Sequence, residues 1–195
     1  NLDVIGIFKC RLWKVHASVL AFQHLADSLG KPSAEIVVRN DDARKLSFLK
    51  DGSVDAVVTS PPYAMALPYI DTDRLSLFML DMVDRRSIHH LIQSMIGNRE
   101  ISDARRRELE SDFASGNSMR LPSDVRETIE IAFQDARHLA KTAFRRKNMP
   151  ALLFKYFADM RMAIAEINRV LKKGGKCAMI VGNSYTDTGK RVLEI

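Results

Sequence analysis

The chain has 195 residues, 46% of them hydrophobic and 28% charged, with a formal net charge of +6 and a pI near 9.4. That size and balance suit one ordinary globular domain, or one domain carrying a sizeable insertion. No run approaches 18 uninterrupted apolar residues, which excludes a spanning helix, and no leader-like pattern opens the chain. Cys10 and Cys177 stand far apart and form no C-x-x-C pair, which argues against a disulfide framework or a zinc site and fits a cytoplasmic setting. The positive charge favours an anionic partner only modestly.

In chain order, Asp3 to Phe8 reads as a short buried strand. A helical face follows, with Leu12, Val15, Val19, Phe22, Leu25 and Leu29, stopped by Gly30. Lys31-Pro32 turns the chain into a second strand, Ala34 to Val38, and Asp51-Gly52 precedes a third, Val54 to Val58. Helical patterns then dominate: one from Asp73 through Leu77, Phe78, Met82 and Val83, a charged one from Ser102 to Phe113, and one from Asp124 to Lys147. The apolar face of the last includes Ile129, Phe133, Ala136, Ala140 and Ala143. Pro150 opens a further helix with Leu153, Phe157, Met160, Ile164, Ile167 and Leu171 inward, and Gly174 at its end. Lys176 to Val181 makes a fourth strand. Strands alternating with helices predict an α/β fold with a mainly parallel sheet. The expected division is residues 1–83 as core, 84–149 as a helical insertion or lid, and 150–195 as a return to the core.

The stretch that carries chemistry is Ser53 to Tyr63, where a strand runs out into Ser60-Pro61-Pro62-Tyr63. In open α/β sheets ligands bind beyond the carboxyl ends of strands. Two prolines fix φ and remove two N–H donors, leaving stiff carbonyls free to accept. An exocyclic amino group is a poor nucleophile because its lone pair is delocalised into the ring. The Ser60 hydroxyl and the Pro61 carbonyl can each accept one of its N–H bonds, pulling the nitrogen toward tetrahedral geometry. Tyr63 offers a face for a base taken out of its stack. For the di-proline alone, a rigid turn with a packed tyrosine is the simpler explanation.

The order of motifs resembles that of the S-adenosylmethionine-dependent amino-methyltransferases of DNA, which carry Asp, Asn or Ser before Pro-Pro-aromatic after a core strand. Upstream, Val37 to Arg44 is similar to the family's adenine-binding corner. The resemblance implies that Asp42 accepts from the adenine amino group, that the Ala43 N–H donates to a ring nitrogen, and that Thr59 and Ser60 complete the cofactor contact. Downstream, Tyr156 to Met160 and Arg169 to Gly175 resemble the helix and Gly-Gly turn that feed the next strand, and Met95-Ile96-Gly97-Asn98-Arg99 is similar to a bacterial and archaeal branch. The implied fold is a partial Rossmann-like methyltransferase sheet with a helical insertion. The implied catalytic set is Ser60, Pro61, Pro62 and Tyr63, with S-adenosylmethionine as cofactor and no metal.

The chain departs from that pattern in two places. No Gly-x-Gly turn is present, so the chain is expected to be a fragment that lacks this loop. Phe8 stands where an acid usually binds the ribose. Without a Pro-Cys dipeptide, attack on the pyrimidine ring is disfavoured. Cytosine N4 and adenine N6 both stay open. So do an RNA or tRNA amino-methyltransferase, a protein-glutamine methyltransferase and a catalytically inactive nucleic-acid-binding module. Residues 85–147 hold 13 Lys/Arg against 9 Asp/Glu. Within and beside that segment, Arg74, Arg99, Arg145, Arg146 and Lys147 are candidates to track phosphates. The densest clusters are Arg105-Arg106-Arg107 and Arg145-Arg146-Lys147, and the plain alternative for each is that cations at a helix C-terminus complement its dipole and exposed charges solubilise.

Overall fold

The computed structural model describes residues 3–30, 35–64, 69–116, 121–139 and 144–195. It divides into two compact units, residues 1–40 and 41–195.

In the first unit the expected strand at Asp3–Phe8 is absent. Val4–Ser28 forms one helix, α1, begun by Asp3, whose carboxylate accepts from the Gly6 N–H at 2.8 Å. The β-branched residues favour a strand, but a strand needs a neighbour to pair its backbone, whereas a capped helix satisfies its own. Trp13 and His16 meet edge to face at 5.9 Å. Residues 35–38, read as part of the second strand, form no strand. The Lys31-Pro32 turn and Ala34 lie outside the described residues.

The second unit begins with a loop and the strand β1 (Val54–Thr59), then α2 (Tyr69–Met79), α3 (Ser87–Ser94), α4 (Asp103–Ser115) and α5 (Ser123–Ala136). The long α6 (Phe144–Val170) runs straight into β2 (Leu171–Met179), and β3 (Tyr185–Asp187) and β4 (Val192–Glu194) close the chain. α4 ends as its sequence demands, with the Ser102 side chain accepting from the Arg105 N–H and Gly116 left-handed at φ 65°. The helix expected over Asp124–Lys147 is interrupted: α5 stops at Ala136 and α6 starts at Phe144, while Ala140 and Ala143 lie outside the described residues. Pro150 sits inside α6, not at its start.

The core lies among α4, α5 and α6, where Leu109, Phe113, Ile129, Ala132, Leu153 and Phe154 pack together. Phe113 meets Phe133 at 5.0 Å and Phe154 at 5.5 Å between ring centroids. The β3–β4 hairpin, which sequence reading missed, is antiparallel and rests on this core through Leu193 and Ile195. Buried Asp135 of α5 holds the hairpin turn, accepting from the Thr188 hydroxyl at 2.8 Å and pairing with Arg191 at 3.0 Å.

β1 and β2 pair in parallel, regularly from Ala56↔Lys176 to Thr59↔Met179. An irregularity between Val54 and Ala56 absorbs the Lys172–Gly175 turn. β1 is largely open, with Val58 77% exposed. The alternating strands and helices of the expected mainly parallel sheet thus reduce, among the described residues, to one parallel pair and one hairpin beside a helical core. Arg169 clamps the loop before β1 to the end of α6. It donates to the Leu46 and Leu49 carbonyls and pairs with Asp51 and Glu166, and Glu166 in turn accepts the Leu46 N–H.

Several of these anchors are acid-sensitive. Hydrogen bonds hold the carboxyls of Asp135 (from Thr188), Glu166 (from Arg169) and Asp187 (from the Gly189 N–H) below the ordinary carboxylate range. A group more acidic when folded contributes fully above its unfolded pKa and is lost as pH falls through the lower folded value. The thermal midpoint should therefore stay level on acidification to about pH 4 and drop below it. A midpoint that rises between pH 4 and pH 2 would contradict this assignment.

Candidate functional site

β1 and β2 end side by side, with the Ile180 N–H donating to the Thr59 carbonyl at 2.9 Å. The chain leaves β1 as Ser60-Pro61-Pro62-Tyr63, with Ser60 exposed and the other three half-buried. Two contacts pin this loop. The Tyr63 N–H donates to the Tyr69 hydroxyl of α2 at 3.0 Å. The Tyr156 hydroxyl of α6 donates to the Pro62 carbonyl at 3.0 Å. Burial, with a smaller effect from Tyr69, pushes the Tyr156 phenol up, so it stays a protonated donor at neutral pH.

Two acceptors are left over. Among the described residues no donor reaches the Ser60 hydroxyl oxygen or the Pro61 carbonyl, the two oxygens expected to meet an amino group. The Tyr63 ring lies against the loop after β2, where a Cβ on Gly182 would fall 3.1 Å from its hydroxyl oxygen. On the other side Gly97 adopts φ +79°, and a Cβ there would fall 2.9 Å from the Tyr63 carbonyl. Gly97→Ala therefore combines a left-handed backbone with a clash at the motif loop. It should cost at least roughly 1–2 kcal/mol and displace Tyr63, which a denaturant titration and the Tyr63 ring resonances would report.

Asp42 is reached through an ion network. Its carboxylate takes the Arg44 guanidinium at 2.7 Å, and Arg44 bridges to Asp159 of α6 at 2.8 Å. Lys155 completes the chain at 2.6 Å from Asp159. Arg44 also donates to the Ser94 carbonyl and Lys155 to the Met95 carbonyl, which ties the turn before Gly97 to α6. The hydrogen bonds from Arg44 hold the Asp42 carboxyl below its usual range and raise the guanidinium pKa further. Asp42 and Ala43 remain exposed, and the Ala43 N–H donates to no described group.

The five basic candidates separate. Arg74, Arg99, Arg145 and Arg146 line one cleft of about 210 Å³, whereas Lys147 lines a different groove beside Arg106 and Glu110. Tyr69 and Gly97 line the arginine cleft too, so it shares walls with the motif loop. Sequence reading passed over Tyr69, Arg44 and Lys155. Lys155 and Asp159 carried a usable signal, the i,i+4 spacing on one helix face. Tyr69 carried none.

Among the described residues no group of three or more His, Cys, Asp or Glu could hold a metal ion, and no helix is long and apolar enough to cross a membrane. Both cysteines are free and exposed.

Comparison with known proteins gives a distant relationship to a methyltransferase. The chain is 24% identical over 164 residues to the Type II methyltransferase M.BsoBI of Geobacillus stearothermophilus, a match covering 80% of this chain and 32% of that protein. The chain thus spans about a third of the length of the curated relative it matches. No family model matches, and no solved structure matches.

Proposed function

We propose that the chain is part of an S-adenosylmethionine-dependent methyltransferase acting on an exocyclic amino group of a base in DNA, cytosine N4 or adenine N6. The observation that carries this reading is the pair of uncommitted acceptors, Ser60 hydroxyl and Pro61 carbonyl, on a loop whose Pro62 carbonyl and Tyr63 N–H are tied down. In this reading residues 1–83 and 150–195 supply the partial Rossmann-like methyltransferase core, and 84–149 a helical insertion or lid. The kinship to a Type II methyltransferase supports the reaction class.

S-adenosylmethionine supplies an electrophilic methyl group when bound. The Asp42–Ala43 corner fits its adenine end, because an exposed carboxylate stands next to an exposed, uncommitted N–H. Arg44 occupies part of that carboxylate, so Ala43 carries more of the contact than sequence reading assigned to it. Thr59 and Ser60 stand at the strand end. The Ser60 and Pro61 oxygens would accept the two N–H bonds of the incoming amino group and steady the positive charge its nitrogen gains as the N–C bond forms and the methyl–sulfur bond of the donor breaks, leaving S-adenosylhomocysteine. The nitrogen would then release one proton to solvent. Tyr63 holds the base face, and positioning accounts for most of the rate. Nothing in this scheme calls for a metal or a covalent intermediate.

The test is methyl transfer from labelled S-adenosylmethionine by the full-length protein, offered DNA and RNA in competition. Label on a DNA base amino group, located by mass spectrometry, is the expected result. Label on RNA alone would replace DNA by RNA, and calorimetric titration showing no cofactor binding would identify an inactive module.

Tyr156 adds a smaller prediction. Tyr156→Phe deletes the donor to the Pro62 carbonyl and should cost about 1 kcal/mol of stability. Methyl transfer should fall through kcat and not through the KM for cofactor, since the loop loosens while the Asp42–Ala43 corner is untouched.

A further inference from the structure

The arginine cleft has a composition that the fold does not explain. Arg145, Arg146 and Lys147 were expected at a helix C-terminus, where the dipole welcomes cations. They stand at the start of the described part of α6, far from its C-terminus, and the helix itself carries no acidic residue there. The helix C-terminus explanation for Arg145 and Arg146 therefore fails. Arg74 arrives from α2 and Arg99 from the loop after α3, so three separate parts of the chain converge on one concave surface.

Charge pairing in the cleft is incomplete. Arg74 pairs with Asp71 and Arg146 with Asp187. Arg99 and Arg145, both exposed, reach no carboxylate among the described residues, and Glu100 on the same wall reaches no cation. Four arginines and three carboxylates, Asp71, Glu100 and Asp187, line the cleft, so its net charge is positive and favours an anion. Planar guanidinium forks match the oxygens of a phosphate.

We propose that this cleft is a phosphodiester clamp, which holds the DNA strand beside the nucleotide received by the Ser60–Tyr63 loop. The proposal rests on the nucleic-acid part of the reading above, and not on methyl transfer. Tyr69 makes the connection, because it lines the cleft and accepts the Tyr63 N–H. Arg99 and Arg145 take the phosphate oxygens directly, while Arg74 and Arg146 exchange part of their pairing with Asp71 and Asp187 for the strand.

The experiment is equilibrium binding of a DNA oligonucleotide to the full-length protein across a salt series, which needs no methyl transfer. Arg99→Ala and Arg145→Ala should each weaken binding about tenfold at low salt and reduce the salt slope by about one. Neither side chain makes a hydrogen bond among the described residues, so both variants should keep the parent thermal midpoint. Glu100→Gln should tighten binding. Arg105→Ala, on α4 outside the cleft and paired with Glu108, should leave affinity within a factor of two. Parent-like slopes for Arg99→Ala and Arg145→Ala would overturn the proposal. So would equal losses from Arg105→Ala, which would mean diffuse attraction over a basic surface. Millimolar nucleoside monophosphate should leave oligonucleotide binding intact, and displacement by it would replace the strand clamp with a mononucleotide site. If the slopes change as expected while no base is methylated, the clamp stands and the methyltransferase reading fails.

Discussion

Tyr63→Ala in the full-length protein should lower methyl transfer to DNA about tenfold to a hundredfold and leave the fold intact. Stacking of one base on an aromatic ring contributes roughly 1–3 kcal/mol, and Tyr63 is the aromatic face at the end of β1. The ring is half-buried and stands outside the α4–α5–α6 core, so its loss opens no sealed cavity. The backbone pins of the loop, Tyr69 to the Tyr63 N–H and Tyr156 to the Pro62 carbonyl, do not depend on the ring. Tyr63→Phe is the informative partner. No described group exchanges a hydrogen bond with the Tyr63 hydroxyl, so the phenylalanine variant should keep nearly full activity. Ser60→Ala should cost more, about a hundredfold to a thousandfold in kcat, if its oxygen stabilises the charge gained at nitrogen. Pro61→Ala keeps the carbonyl but loosens it, and should also depress kcat. Parent-like rates in Tyr63→Ala, Ser60→Ala and Pro61→Ala together would remove this loop from the chemistry.

Leu153→Ala should destabilise the unit by about 2–5 kcal/mol. Leu153 is fully buried at the middle of α6, among Phe113, Ile129 and Phe154. Truncation removes the transfer energy of the lost carbons and leaves a hole that rigid aromatic neighbours do not fill. α6 also carries Tyr156, Lys155, Asp159 and Arg169, every one of which fixes a loop of the candidate site. The expected result is a lower denaturant midpoint with an unchanged slope, and loss of methyl transfer as the midpoint is approached. Met162→Ala, on the exposed side of the same helix, should shift the midpoint by less than about 0.5 kcal/mol.

Legibility followed physical locality. β1 was readable within one residue because a run of apolar β-branched residues bounded by Asp51-Gly52 and a di-proline has few alternatives. α4 was readable because Ser102 and Gly116 are a cap and a stop whose chemistry acts within one turn. Val4–Phe8 misled because composition alone does not tell a strand from the first turns of a helix. The decisive contact there is the Asp3 carboxylate on the Gly6 N–H. The β3–β4 hairpin was missed because its strands are three residues each and are held by Asp135, 50-odd positions upstream.

From sequence alone came the chemistry available to the molecule: a stiff Ser-Pro-Pro-Tyr loop after a strand, an Asp-Ala corner, an excess of arginine and kinship to a methyltransferase. Backbone stiffness, acceptor number and charge belong to residues and their immediate neighbours, so the letters suffice. Which of those groups are committed was decided only by the tertiary structure. Asp42 is claimed by Arg44, the Pro62 carbonyl by Tyr156 and the Tyr63 N–H by Tyr69, while the Ser60 and Pro61 oxygens and the Arg99 and Arg145 guanidinium groups meet no partner among the described residues. These commitments range from Asp42 to Arg44, two positions apart, to Pro62 and Tyr156, 94 apart, and the last exists only once α6 has packed.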